Sequence, residues 1–163
     1  MSIGEAVAAV VVAVASALNA PSAGIASSGW VWPLRPEPSV MRGFDPPDQP
    51  WLAGHRGVDL STSVGAPVLA PSAGHVSFSG RIAGRGVVVV SHPGGLRSTF
   101  EPVESRPPVG TTVSKSGHVG IVESAAGHCA PAACLHWGVL RGDTYLDPLS
   151  LVGRATIILL TLS

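Results

Sequence analysis

A chain of 163 residues with ten basic and ten acidic side chains carries a formal net charge of zero. That balance excludes the basic surface that nucleic acid requires and the acidic run of a solvating tail. The length suffices for one domain with one core, and 20 glycines and 15 prolines set between short apolar runs make that core β rather than helical.

In chain order, the first 28 residues stand apart. "AVAAVVVAVASAL" (6–18) is an unbroken apolar run followed by small residues. It has the length of a secretory h-region and is too short to span a bilayer. Ala15-Ser16-Ala17 offers an A-x-A cleavage site and Ala26 a second; against the usual pattern, the preceding segment carries Glu5 and no Lys or Arg. Residues 1–28 are therefore read as a signal peptide or apolar N-terminal segment, the only part expected to touch a membrane. Residues 29–163 are read as a single domain, secreted or held in the cell envelope.

"SSGWVWPLRP" reads as a short edge strand broken by prolines, and "FDPPDQPW" as a loop. Strands are expected at 57–61, 66–70, 74–80, 86–92, 96–103, 118–124, 134–140 and 155–162, each bounded by Gly, Pro or Ser. "RIAGRG" and "HPGG" mark turns, and "YLDPLSLVG" is the one helical turn, kept short by its proline. The fold class is all-β: mostly antiparallel sheets in a sandwich or rolled sheet. The apolar strand at 155–162 is too short for a membrane anchor.

Most of the six histidines need no role. His75 and His118 begin strands, and His92 precedes a Pro-Gly-Gly turn. Trp32, Phe100 and Trp137 are expected in the core. Cys129 and Cys134 are the only cysteines; so close a pair in an exported protein reads as a disulfide, in a reducing compartment as thiols. In "GHRGVDL" (54–60), His55 and Asp59 flank Gly57 where a loop feeds a strand. Imidazole nitrogen and carboxylate oxygen are two of zinc's preferred donors, and a third from elsewhere would leave an open coordination position.

The order of motifs extends this reading. H-x-G-V-D-L is followed by "GAPVLAPSAGHVSFSG", "GRGVVVVSHPGGLRSTFEPV", "VGTTV" and "CLHWGVLRG", then "YLDP". Over residues 30–152 this resembles the lysostaphin-type (LytM-like) zinc peptidases, which cut peptide cross-bridges and stems of bacterial peptidoglycan. The resemblance implies a mostly antiparallel β-sheet fold with a central groove, and zinc ligands at His55, Asp59 and His136. It also implies two further active-site histidines, and both are replaced here. The first histidine of the family's H-L-H is Cys134, and the histidine of its T-Y-x-H-L is Pro102, beside Glu101.

Three readings of Cys134 stay open. Residues two apart on a strand share a face, so Cys134 and His136 would both point toward the metal. A free thiolate there would be a fourth ligand and would close the site. A disulfide to Cys129 would leave the fourth position to water, and two inert thiols are the remaining alternative. Glu101 and His128 are the candidate general bases, although strand alternation points Glu101 away from Pro102. The resulting expectation is an exported zinc metalloendopeptidase-like protein acting on peptidoglycan peptides with weak activity. The alternative is a non-catalytic peptidoglycan-binding or hydrolase-regulating module that keeps its zinc site.

Overall fold

Short β-branched runs between glycines and prolines are too brief to bury a helix face, and they pair instead as strands. The computed structural model describes residues 29–49, 51–124 and 129–153. The apolar N-terminal segment, His128 and the strand expected at 155–162 lie outside the described residues.

Eleven strands are present among those residues: β1 (Val40–Arg42), β2 (Val58–Ser61), β3 (Pro67–Leu69), β4 (Gly74–Ile82), β5 (Arg85–Ser91), β6 (Leu96–Glu101), β7 (Val103–Glu104), β8 (Thr112–Val113), β9 (His118–Val122), β10 (Cys134–Arg141) and β11 (Thr144–Leu146). An eight-stranded sheet runs β1-β2-β10-β6-β5-β4-β8, with β11 also on β10, and a three-stranded sheet runs β3-β9-β7. Every pairing is antiparallel. The core comes from the inward side chains of both sheets, including Leu60, Val68, Val88, Val119 and Leu135, all fully buried. Phe100 and Trp137, cross-strand partners on β6 and β10, are also fully buried and stack with ring centroids 6.4 Å apart.

Seven of the expected strands are present, and the remaining differences have physical causes. The expected edge strand "WVWPLRP" is not a strand. Pro33 and Pro36 lack the N–H a ladder needs, and the segment is tied beside β3 by two isolated bonds, Val31 N–H to Pro71 O and Leu69 N–H to Pro33 O. The strand expected at 96–103 divides at Pro102: β6 stays in the large sheet while β7 joins the small one. Pro102 thus marks the crossing between sheets. β1, β8 and β11 are two or three residues long, below the length at which alternation is legible. His92 is not a bare turn residue. It is only 7% exposed, with Nδ1 3.0 Å from Ala73 O and Nε2 2.9 Å from Ser98 Oγ, and burial holds its imidazole below the usual histidine value.

Candidate metal centre

β10 lies between β2 and β6, and its register builds the site. His136 is paired with Asp59 on one side and with Glu101 on the other. Directly opposed residues of adjacent strands share a face, so these three side chains rise from one surface. His55 arrives from the loop before β2. An isolated bridge fixes its main chain, with Asp45 N–H donating to His55 O at 2.9 Å and His55 N–H donating to Asp45 O at 2.6 Å.

Three ligating atoms converge. His55 Nε2 is 3.1 Å from Asp59 Oδ1, His136 Nδ1 is 2.8 Å from the same oxygen, and the two ring nitrogens are 3.2 Å apart. His55 and Asp59 are 2% and 1% exposed, while His136 at 15% opens the cluster to a groove. The Nδ1–H of His55 donates to the Gly43 carbonyl at 2.6 Å. That bond is the kind that orients a metal-ligating imidazole, and Nε2 lies in buried contact with the Asp59 oxygen, 3.1 Å away. Donors bonded to tetrahedral zinc at about 2.0–2.1 Å sit about 3.3 Å apart, close to the separations here. Two imidazoles and one carboxylate fit zinc in both chemistry and spacing. Burial pushes the Asp59 carboxyl up, but hydrogen bonds and charge from His136 and then His55 outweigh it and hold the group below the usual carboxylate value.

Gly57 is a site residue the sequence reading passed over as a loop marker. A Cβ there would stand 2.4 Å from the Trp137 carbonyl oxygen and 2.8 Å from His136 Nε2. The absent side chain lets the loop cross directly over the His136 ring. Nothing in sequence could mark the Gly43 carbonyl, since a backbone acceptor has no side-chain signature.

Glu101 lines the open groove with His136, Thr99 and Tyr145, and its carboxylate lies 3.5 Å from Arg85 Nε. Pro102 is buried and lines a cavity with Cys129, Cys134 and Glu123. Cys129 and Cys134 are bonded to one another with a Cα separation of 6.0 Å. In this state the thiolate-ligand reading of Cys134 does not hold. At the groove's other side the Arg56 guanidinium carbon stands 5.9 Å from the centre of the Tyr145 ring. The three ligands, Glu101 and the disulfide therefore belong to one neighbourhood; His128 lies outside the described residues.

The description of peptidase family M23 matches residues 53–148. An uncharacterized protein of Mycobacterium tuberculosis is 48% identical over 138 residues, which cover 81% of this chain and 55% of that protein. The chain thus spans about half the length of the curated relatives it matches. Among solved structures, a putative peptidase M23 from Pseudomonas aeruginosa aligns with TM-score 0.60 and 26% identity over 78% of this chain and 52% of the other. A zinc containing peptidase from Vibrio cholerae aligns with TM-score 0.62 and 21% identity, over 74% of this chain and 38% of the other; that likeness is one of fold.

Proposed function

Because this chain belongs to peptidase family M23, we propose that it is an exported zinc metalloendopeptidase domain that acts slowly on the peptides of bacterial peptidoglycan. The observation that carries the reading is the convergence of His55 Nε2, Asp59 Oδ1 and His136 Nδ1 within 2.8–3.2 Å of one another at the wall of an open groove. Zinc held there supplies Lewis acidity to a peptide carbonyl and to the hydrolytic water.

The remaining work falls to the chain's own groups. Asp59 brings the one negative charge that a dication needs from this donor set. Gly43 holds His55 in the orientation that offers Nε2. Glu101, across the ladder from His136, receives the proton from the attacking water and returns it to the leaving amine. General acid–base assistance is worth about 10²- to 10⁴-fold, so one carboxylate in place of two histidines accounts for a slow enzyme.

A second reading is favoured by a specific observation. At the two positions where the family resemblance places acid–base histidines stand a proline and a disulfide-bonded cysteine, neither of which moves a proton. On this reading the groove binds wall peptide, or regulates a partner hydrolase, without cutting. The test is the zinc content of the purified protein and of His136→Ala, followed by digestion of peptidoglycan and of diaminopimelate- or glycine-containing peptides. One zinc per chain with cleavage supports the enzyme. Zinc with peptide binding but no cleavage selects the binding module, and metal-free protein overturns both.

A further inference from the structure

Cys134 and His136 stand two residues apart on β10 and therefore on one face of it. In the β2 register they oppose Ser61 and Asp59. Two groups of potential ligands result, and they share Asp59. One is His55, Asp59 and His136; the other is Asp59, Cys129 and Cys134, whose ligating atoms all lie within 4.8 Å of one another. The disulfide therefore lies beside Asp59, the residue the two groups share. A carboxylate oxygen and a thiolate on one tetrahedral zinc are about 3.5 Å apart, so at most about 1.3 Å separates the Cys134 sulfur from that spacing to Asp59.

The two sulfurs differ in access. Cys134 is buried at 7% exposure, whereas Cys129 is half-buried, and both line a cavity of about 290 Å³ whose wall includes Pro102 and the Ala130–Ala133 stretch. An incoming thiolate reaches Cys129 first. Attack there forms a mixed disulfide on Cys129 and breaks the Cys129–Cys134 bond, with Cys134 departing as the thiolate. The second thiol of a dithiol reductant then resolves the mixed disulfide. The dithiol ends oxidised to its cyclic disulfide, and the protein gains two reduced cysteines for two electrons.

We infer that Cys134 is a latent fourth metal ligand. With the Cys129–Cys134 bond intact, the centre has three protein ligands and one position open to water or substrate. With the bond reduced, Cys134 Sγ completes a set of two histidines, one aspartate and one cysteine, and the open position is closed. Catalytic zinc sites keep an open position, whereas four protein ligands make a closed, structural one. The disulfide thus holds the centre in its open form, and a thiol-rich environment converts it to a tightly bound, capped form. This inference rests on the metal centre proposed above.

The test uses the full chain loaded with cobalt in place of zinc, because thiolate coordination gives Co²⁺ a near-ultraviolet charge-transfer band. Oxidised protein, and protein reduced with a dithiol that is then removed without air, are compared in the parent, Cys134→Ser and Cys129→Ser. The band is expected in the reduced parent and in Cys129→Ser without any reductant. It is expected to be absent from the oxidised parent and from reduced Cys134→Ser. Zinc affinity, read by competition with a chelating dye, is expected to tighten at least tenfold on reduction in the parent and to stay constant in Cys134→Ser. Cobalt bound to the reduced parent with no thiolate band overturns the inference and leaves the metal centre standing, as does a band that survives Cys134→Ser. Failure of cobalt and zinc to bind in either redox state overturns the metal centre and the inference together.

Discussion

Two neighbouring corners of the groove, two residues apart on one strand, are held by opposite means. The metal corner assembles His55, Asp59 and His136 from segments that are up to 81 residues apart. It is kept by strand register and by the Gly43 carbonyl. The disulfide corner joins residues five apart with a covalent bond. The first corner draws on β2 and β10, and the second on the loop before β10 and on Pro102 after β6. One corner can therefore vary in sequence without dismantling the other.

The largest expected effect breaks the metal corner. Asp59→Ala removes the only anionic ligand and leaves two imidazoles. Zinc affinity is expected to fall by more than the 10- to 100-fold that losing an outer-shell partner costs, as measured by dye competition. Retention of parental affinity would show that these residues do not hold the ion. Next in size is Glu101→Gln, which keeps shape while removing the base. Peptide hydrolysis is expected to drop about 10²-fold or more with zinc content unchanged. The broken pair with Arg85 should cost less than about 1 kcal/mol in urea denaturation. Equal loss of zinc and of activity would instead make Glu101 a structural neighbour of the site.

Breaking the other corner should cost less and leave the metal alone. Replacing both cysteines by serine removes a short loop constraint worth about 2 kcal/mol on the chain-entropy estimate. Zinc affinity is expected to remain that of the oxidised parent. A double variant that lost zinc would show that the bond, and not the strand register, positions the ligands.

The smallest effect separates His92, a buried histidine outside the candidate site, from His55 and His136. Burial lowers the His92 value in the folded protein, so its contribution to stability is fully present above about 6.5, the unfolded value. That contribution is lost as pH falls below it, because the unfolded chain takes up the proton first. Thermal melts at pH 7.5 and 5.5 should show a lower midpoint at the acid value, and His92→Asn should narrow the gap.

Much of the fold was legible because each strand is a short apolar run between breakers, a local signal that survives without tertiary help. Where the reading failed, the deciding force was long-range or the run was too short. "WVWPLRP" looked like a strand by composition, yet its prolines leave only isolated bonds to the neighbouring chain. His92 looked like a surface turn because nothing local says that Ala73 and Ser98 enclose it.

Which side chains are available to the candidate site, and their order along the chain, can be read from the sequence, Pro102 and Cys134 included. These depend only on which side chain stands at which step of the motif. Tertiary structure alone decided that His136 is opposed to Asp59 on one side and Glu101 on the other, since register is set by cross-strand hydrogen bonds between distant segments. It also decided why residue 57 is glycine, because only the close approach of the loop to the His136 ring forbids a Cβ there. And it placed the disulfide against Asp59: a pair of cysteines in sequence states that a bond can form, but only the folded strand states what that bond covers.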